Sequence, residues 1–175
     1  DNDYGDVRKQ IDGIGGTSGA SSGSATFQRN WKSLANGDNA KRFAQAQHDY
    51  IQNDKYDPVV ASIKDEFGID ICDGTHSNGL QDTIWSTAVQ YGPNGCRGIV
   101  KTAVAKLKRR LGKNVVITDA DLINEIHDVK LNSVETRFKS SPSLWGGLRN
   151  RITEERGVAL ANNISPTSTS STTVV

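Results

Sequence analysis

The sequence predicts a mainly α-helical domain with a loop-rich N-terminal segment and at most a short β-hairpin. Three observations support this prediction. From residue 24 onward, apolar residues recur at three- and four-residue spacing, as they do on one face of a helix. Most of these stretches are bounded by residues that begin or end helices, such as Ser, Asp-Pro and Gly. The chain has 175 residues, which is enough for one domain with a substantial core.

The first half of the chain contains three predicted helices. The first begins near Ser24 and ends at Asn36-Gly37, and the second covers about residues 41–52. Asp57-Pro58 is predicted to be the N-cap and first turn of a third helix, which ends at Gly68. The apolar faces of the three helices carry Phe27, Trp31, Leu34, Phe43, Tyr50, Ile51, Val59, Val60, Ile63 and Phe67.

The second half of the chain contains four more predicted helices. The first begins at Ser77 and ends at Gly92-Pro93, and the next spans about residues 95–111 before Gly112. Thr118 and Asp121 are predicted to form a capping box at the start of the third. The fourth begins at Ser141-Pro142. Their apolar faces carry Leu80, Ile84, Ala88, Tyr91, Ile99, Val100, Ala103, Val104, Leu107, Leu111, Leu122, Ile123, Ile126, Val129, Trp145, Leu148, Ile152 and Ala159.

One domain is predicted over residues 1–163. Residues 1–25 are rich in Gly and Ser and are predicted to form a front loop, with a short strand near residues 7–11. Residues 164–175 are too polar to pack and are predicted to be a flexible tail. The chain begins with Asp and contains no Met, so we expect it to be part of a larger protein.

Composition disfavours several classes of function. The net charge of +1 gives no general case for a nucleic-acid or membrane partner. No apolar run approaches the roughly 18 residues of a membrane span. The three His and two Cys residues show no paired metal-ligand spacing, so neither a metal nor a cofactor is expected. Cys72 and Cys96 either pair in an oxidising compartment or remain free thiols.

A run of basic residues lies near the end of the helix predicted over residues 95–111. Cations at this end of a helix complement the macrodipole, which favours a solvated helix terminus. The alternative is a docking surface for an anionic polymer, but no aromatic residues interleave the run. The run consists of Lys101, Lys106, Lys108, Arg109, Arg110 and Lys113.

The helix over residues 80–92 combines an apolar stripe with neutral hydrogen-bonding side chains. Trp85, Ser86 and Gln90 share it with Gln81. A tryptophan beside uncharged polar groups suits a hydroxyl-rich ligand such as a sugar chain. The alternative is a core helix whose few polar groups are satisfied internally.

Three acidic residues in the front loop have no explanation in helix capping or helix pairing. They are Asp1, Asp3 and Asp6. Most of the other acidic residues, Glu154 and Glu155 among them, fall at predicted helix starts or on exposed faces. Catalytic carboxylates are common on loops held by a rigid scaffold. Glycosidic cleavage needs two carboxyl groups, and this loop could supply one. The alternative is a flexible acidic terminus.

The chain resembles the lysozyme-like, chitosanase-related domains of phage tail proteins and type six secretion spike proteins. The resemblance covers roughly residues 27–160, and Trp85-Ser-Thr-Ala-Val-Gln-Tyr-Gly92 is its most specific string. Further matching segments are Phe27-x-x-x-Trp31-x-x-Leu34-Ala35, Phe43 to Ile51, Tyr56 to Val60, Gly68 to Ile71 and Asp121 to Ile126. The family cuts β-1,4-linked amino-sugar chains, usually peptidoglycan.

The resemblance also implies roles for individual residues. Asp3-Tyr4-Gly5-Asp6-Val7 is similar to the family segment whose aspartate is the second carboxylate, which makes Asp3 the expected equivalent, with Asp1 and Asp6 as weaker candidates. Trp85, Ser86, Gln90 and Gln10 are the expected substrate-binding residues. The family's general acid is a glutamate upstream of this segment, and this chain does not contain it.

Two hypotheses follow from the resemblance. The first is a wall-degrading glycoside hydrolase domain within a larger tail or secreted protein, acting on the bacterial cell wall from a virion or after secretion. Its partners would be peptidoglycan, or chitosan, and other tail or secretion-apparatus proteins. The second is an inactive module that keeps the scaffold for glycan binding or virion assembly. A nucleic-acid-binding role for the basic run is a weaker third idea.

Overall fold

The computed structural model describes residues 24–112 and 116–164 of the chain. Helices dominate these residues and no strand occurs among them, which confirms the predicted fold class. The chain divides into two compact units, one ending at Asp57 and the other beginning at Pro58. The predicted front strand at residues 7–11 and most of the front loop and tail lie outside the described residues.

The first unit is built around stacked aromatic side chains. Helix α1 spans Ala25–Asn36 and begins as predicted, since the Ser24 hydroxyl accepts a hydrogen bond from the backbone N–H of Phe27 at 3.1 Å. Helix α2 spans Ala40–Ile51 and is followed by a π-helical turn over Gln52–Tyr56. Within the unit, the Trp31 ring stacks on Phe27 and meets Phe43 edge-on, with centroid distances of 5.6 and 4.8 Å. These contacts join α1 to α2.

The prediction that Asp57 caps a new helix is wrong. Asp57 has helical backbone angles (φ −57°, ψ −42°) and is the first residue of helix α3, which spans Asp57–Phe67. Pro58 has no N–H to donate, and its ring would clash with the carbonyl four residues earlier in a regular α-helix. A π-helical turn over Gln52–Tyr56 immediately precedes α3, and the Asp57 N–H donates to the Gln52 carbonyl. The predicted end is confirmed, because Gly68 has a positive φ of 72°.

Helix α4 spans Asn78–Leu111 and contains both helices predicted on either side of Gly92. Gly92 interrupts it with φ 70° and ψ 169°, a conformation that suits glycine, and Pro93 follows. Ser77 caps the N-terminus by accepting from the Leu80 N–H at 3.2 Å. Gly112, with φ 92°, ends the helix. The predicted boundaries at Ser77, Gly92-Pro93 and Gly112 are therefore confirmed, and the two predicted helices are joined at a kink.

Helices α5 and α6 complete the second unit. Helix α5 spans Asp119–Arg137, and the predicted capping box is confirmed: Thr118 and Asp121 exchange side-chain-to-backbone hydrogen bonds in both directions. A 3₁₀ turn over Pro142–Leu144 precedes helix α6, which spans Trp145–Ala161. The last helix therefore begins three residues after the predicted Pro142. Trp145 Nε1 donates to the Phe138 carbonyl at 2.9 Å and fixes this corner.

The core of the second unit lies where α4, α5 and α6 pack together. The closest approach is at Gly79, where a Cβ atom would lie only 2.0 Å from the Ala159 carbonyl oxygen. The Gly79 N–H also donates to the Asn162 carbonyl at 3.1 Å. The start of α4 therefore rests directly on the backbone at the end of α6. Fully buried core side chains include Leu80, Ile84, Ile99, Leu107, Ile123, Ile126 and Ile152.

The two cysteines are both free thiols. Cys72 is exposed, whereas Cys96 is buried on α4. Burial raises the pKa of the Cys96 thiol to about 12, and its Sγ lies 3.8 Å from the Ile84 carbonyl oxygen. Cys96 is therefore an inert core residue.

A candidate binding cavity between three helices

Helices α4, α5 and α6 line a cavity of about 350 Å³ that is open to solvent on one side. This volume is at the lower end of the range for small-molecule sites. Its walls combine carboxylates, a serine, a histidine and short apolar side chains. The lining residues are Asp82, Thr83, Ser86, His127, Arg151, Glu154, Glu155, Val158 and Ala159.

The centre of the site is the Glu155 carboxylate, which joins all three helices. Its Oε2 accepts hydrogen bonds from Ser86 Oγ of α4 at 3.1 Å and from Lys130 Nζ of α5 at 3.0 Å. Its Oε1 accepts from Arg151 Nε, one turn earlier on α6, at 2.7 Å. Three donors therefore hold one carboxylate, and they fix its orientation at the cavity wall.

This arrangement keeps Glu155 ionised. Partial burial works to raise its pKa, but the hydrogen bond from Arg151, the charge and hydrogen bond of Lys130 and the hydrogen bond from Ser86 together outweigh burial and leave the pKa below its ordinary value. A carboxylate held in this way is a hydrogen-bond acceptor and an electrostatic anchor. It is a poor proton donor near neutral pH.

Lys130 is the buried counter-ion of the cluster. Its side chain has no exposed surface, and its Nζ lies 5.9 Å from the centroid of the Tyr91 ring. Burial lowers the pKa of the ammonium, while the neighbouring Glu155 charge opposes that shift. A buried ammonium is tolerated only when it is paired and hydrogen-bonded, and Glu155 supplies both interactions.

His127 forms part of the cavity wall from α5. Its residue is 1% exposed, and its Nδ1 lies 2.7 Å from the Ile123 carbonyl oxygen one turn earlier. Burial lowers the pKa of the imidazole to about 4, with smaller contributions from the positive charges of Lys130 and Arg156. The ring is therefore neutral at physiological pH.

The predicted site residues are brought together only in part. Ser86 lines the cavity as part of the Glu155 cluster, whereas Trp85 and Gln90 are half-buried on α4 and are not among its described lining residues. The Gln90 Oε1 is buried without a hydrogen-bond partner among the described residues. The predicted carboxylates Asp1, Asp3 and Asp6, and the predicted ligand contact Gln10, lie outside the described residues.

Sequence reasoning misses most of the cluster. The expectation that Glu155 lies on an exposed helix face is wrong, because its side chain is 22% exposed and is bonded to residues 25 and 69 positions away. One signal is present in the sequence. His127 and Lys130 fall at helical spacing within the apolar stripe that includes Ile123, Ile126 and Val134. A cation on the buried face of a helix predicts a buried partner.

The basic run on α4 is partly neutralised by ion pairs. Lys101 Nζ lies 2.6 Å from Glu66, and Lys106 and Arg110 lie 3.4 and 3.1 Å from the buried carboxylate of Glu125. Pairing of this kind supports the interpretation of the run as a helix terminus that packs on its neighbours. Lys113 lies outside the described residues.

Neither a metal cluster nor a membrane span occurs in the part of the chain that the structure describes. Over residues 24–112 and 116–164, no group of three or more His, Cys, Asp or Glu side chains is placed to hold a metal ion. No helix within these ranges has the length and apolar character needed to cross a bilayer.

Comparison with known proteins identifies the family. Residues 9–156 match the profile of the type VI secretion system spike protein VgrG3-like C-terminal domain. The chain belongs to this family. The match favours the secretion spike over the phage tail, the two kinds of host protein that the resemblance in the sequence allowed.

One relative shares enough sequence to be aligned over most of the chain. The type VI secretion system spike protein VgrG3 of Vibrio cholerae serotype O1 is 30% identical over 144 residues, which are 82% of this chain. The chain spans 13% of the length of that relative. The cavity and the Glu155 cluster lie within the part of the chain that matches the VgrG3-like C-terminal domain, apart from the wall residues Val158 and Ala159.

Proposed function

We propose that this VgrG3-like domain is a glycoside hydrolase domain that cleaves β-1,4-linked amino-sugar chains of bacterial peptidoglycan. It acts as part of a larger spike protein that the type VI secretion apparatus delivers to a target cell wall. Family membership supports the delivery route. The resemblance of residues 85–92 to lysozyme-like domains supports the chemistry.

The observation that carries the proposal is the position of Ser86. It belongs to the segment with the most specific resemblance. It also lines a cavity of about 350 Å³, together with the carboxylates of Asp82, Glu154 and Glu155. A cavity with hydroxyl and carboxylate walls offers hydrogen bonds to sugar hydroxyls, while Val158 and Ala159 offer apolar contact to a pyranose face. These groups support the binding of an amino-sugar chain.

The proposed chemistry needs two carboxyl groups, one to protonate the leaving oxygen and one to activate water or attack directly. We assign the second role to Asp3, with Asp1 and Asp6 as alternatives, and the acid role to a glutamate of the parent protein. Glu155 is not assigned either role, because its bound, ionised carboxylate suits binding rather than proton donation. Trp85, Ser86, Gln90 and Gln10 are the proposed substrate contacts.

The proposal is tested by measuring muropeptide release from purified peptidoglycan by the parent spike protein. Asp3→Asn preserves the size of the side chain and removes its charge, and we expect it to lower the rate by about 10²- to 10⁴-fold. Asp65→Asn, an exposed carboxylate on α3, is the matched control and should retain the parental rate. Equal release by all three proteins would remove Asp3 from the mechanism.

A glycan-binding module without catalysis is the second candidate. The observation that favours it is that three donors already occupy the Glu155 carboxylate, which makes the cavity better suited to binding than to proton transfer. Retention of the domain on insoluble peptidoglycan, together with no muropeptide release by the parent protein, would support this candidate over the hydrolase. Release by the parent would exclude it.

A further inference from the structure

We infer that His127 determines the ligand specificity of the cavity, with its Nε2 accepting a hydrogen bond from a hydroxyl or amide N–H group of the bound saccharide. This inference rests on the glycan-binding part of the proposed function and does not require cleavage. It assigns a recognition role to a residue that the sequence motif did not single out.

The tautomer of His127 follows from its partner. The Ile123 carbonyl oxygen, 2.7 Å from Nδ1, can only accept a hydrogen bond, so Nδ1 carries the proton. The second ring nitrogen of a neutral imidazole then carries a lone pair and is an acceptor. Burial holds the ring in this neutral form.

The orientation of His127 follows from the same hydrogen bond. Since Nδ1 is held by the preceding turn of α5, Nε2 is the ring nitrogen left for a ligand. His127 is also one of the residues that line the cavity. The inference places the Nε2 acceptor at this wall of the cavity.

The hydroxyl groups of the cavity wall already donate hydrogen bonds within the protein. Ser86 Oγ donates to Glu155 at 3.1 Å, and Thr83 Oγ1 donates to the Gly79 carbonyl at 2.8 Å. Asp82 and Glu154 are exposed carboxylates that form no ion pair among the residues the structure describes. The groups left for a ligand are thus the acceptors of His127, Asp82 and Glu154, together with the guanidinium N–H groups of Arg151 other than Nε.

This set of groups defines the class of ligand. A saccharide presents several hydroxyl donors and, when N-acetylated, an amide N–H, which match acceptors on the walls and at His127. The remaining N–H groups of Arg151 can in turn donate to sugar oxygens, so the cavity offers both donors and acceptors to a saccharide.

The experiment uses calorimetric titration of the 175-residue chain with a β-1,4-linked N-acetylglucosamine hexamer. His127→Asn keeps a donor near the Nδ1 position but has no acceptor at the Nε2 position, and His127→Gln extends an amide oxygen to about that distance. We expect Asn to weaken binding about tenfold, because a buried ligand donor loses its partner, and Gln to stay within about threefold of the parent. Thermal unfolding confirms that each variant is folded.

The outcomes separate the inference from the proposed function. Equal affinity of the parent and the Asn variant would overturn the role of His127 and leave glycan binding intact. Equal losses in the Asn and Gln variants would overturn it as well, since the acceptor would then not be the property that matters. A parent chain that does not bind the hexamer or soluble peptidoglycan fragments would overturn both the inference and glycan binding by this cavity.

Discussion

The Lys130 ammonium lies 3.0 Å from the Glu155 carboxylate, and of the two side chains only Glu155 reaches solvent. This asymmetry decides what each partner loses when the other is removed. Glu155 has two further donors, Ser86 and Arg151, and part of its surface remains hydrated. Lys130 has no exposed surface through which water could replace its partner. Loss of the Glu155 carboxylate should therefore cost more stability than loss of the Lys130 ammonium.

Glu155→Gln should destabilise the domain more than Lys130→Met. Removing the carboxylate leaves a buried cation without a counter-charge, which costs about 3 kcal/mol or more. Removing the ammonium leaves a carboxylate that keeps Arg151, and we expect a cost of about 1–2 kcal/mol. Urea-induced unfolding at pH 7 measures both. A larger loss in Lys130→Met than in Glu155→Gln would contradict this account of the cluster.

Gly79→Ala should destabilise the packing of α4 on α6. The new Cβ would lie 2.0 Å from the Ala159 carbonyl oxygen, so the backbones of the two helices must move apart. We expect a loss of about 2–3 kcal/mol in unfolding free energy. Gly98→Ala is the matched control, because Gly98 lies in the same helix and a Cβ added there would meet nothing within 4 Å. It should be neutral or stabilise by up to about 1 kcal/mol.

Thr118→Ala should remove the capping box of α5. The hydroxyl accepts from the Asp121 N–H at 3.2 Å and also contacts the Asp121 carboxylate at 2.6 Å. Loss of an N-cap of this type costs about 1 kcal/mol. Thr136→Ala, at an exposed position near the other end of α5, is the control and should change stability by less than about 0.5 kcal/mol. Thermal unfolding of both variants checks the difference.

The helices could be predicted because their signals are local. Ser77, Thr118 and Gly112 act on backbone groups within one turn of themselves, so the sequence on either side is sufficient to place them. Asp57 is the exception, because the same Asp-Pro pair is compatible with a cap and with the residue after a π-helical turn. Local sequence does not distinguish the two.

The cavity could not be predicted in the same way. Ser86 and Lys130 reach Glu155 across 69 and 25 residues, and nothing local marks Glu155 as their partner. Beside Glu154 and one turn after Arg151, it has the pattern of an ordinary solvated helix face. Only tertiary packing brings this carboxylate to its partners on the other two helices. The spacing of residues along one helix is therefore not enough to predict the cluster.

His127 should make the stability of the domain pH-dependent between about pH 6.5 and 4. Burial lowers the pKa of the folded imidazole from 6.5 to about 4, so the unfolded chain takes up a proton at a higher pH than the folded chain. The stability that this residue contributes is therefore complete above about pH 6.5 and declines as the pH falls toward 4, by at most about 3 kcal/mol.

His127→Gln isolates this effect because glutamine does not titrate. Lys130 on α5 and Glu155 and Arg156 on α6 are the charged groups that act on His127, and they are common to both proteins. The free energy of unfolding of the parent, measured in urea at several pH values, should fall more steeply than that of the variant between about pH 6.5 and 4.5. Parallel curves would mean that the pKa of the imidazole is the same in the folded and unfolded chains. The ring would then be protonated at mildly acidic pH, and its Nε2 could not accept a hydrogen bond from a ligand there.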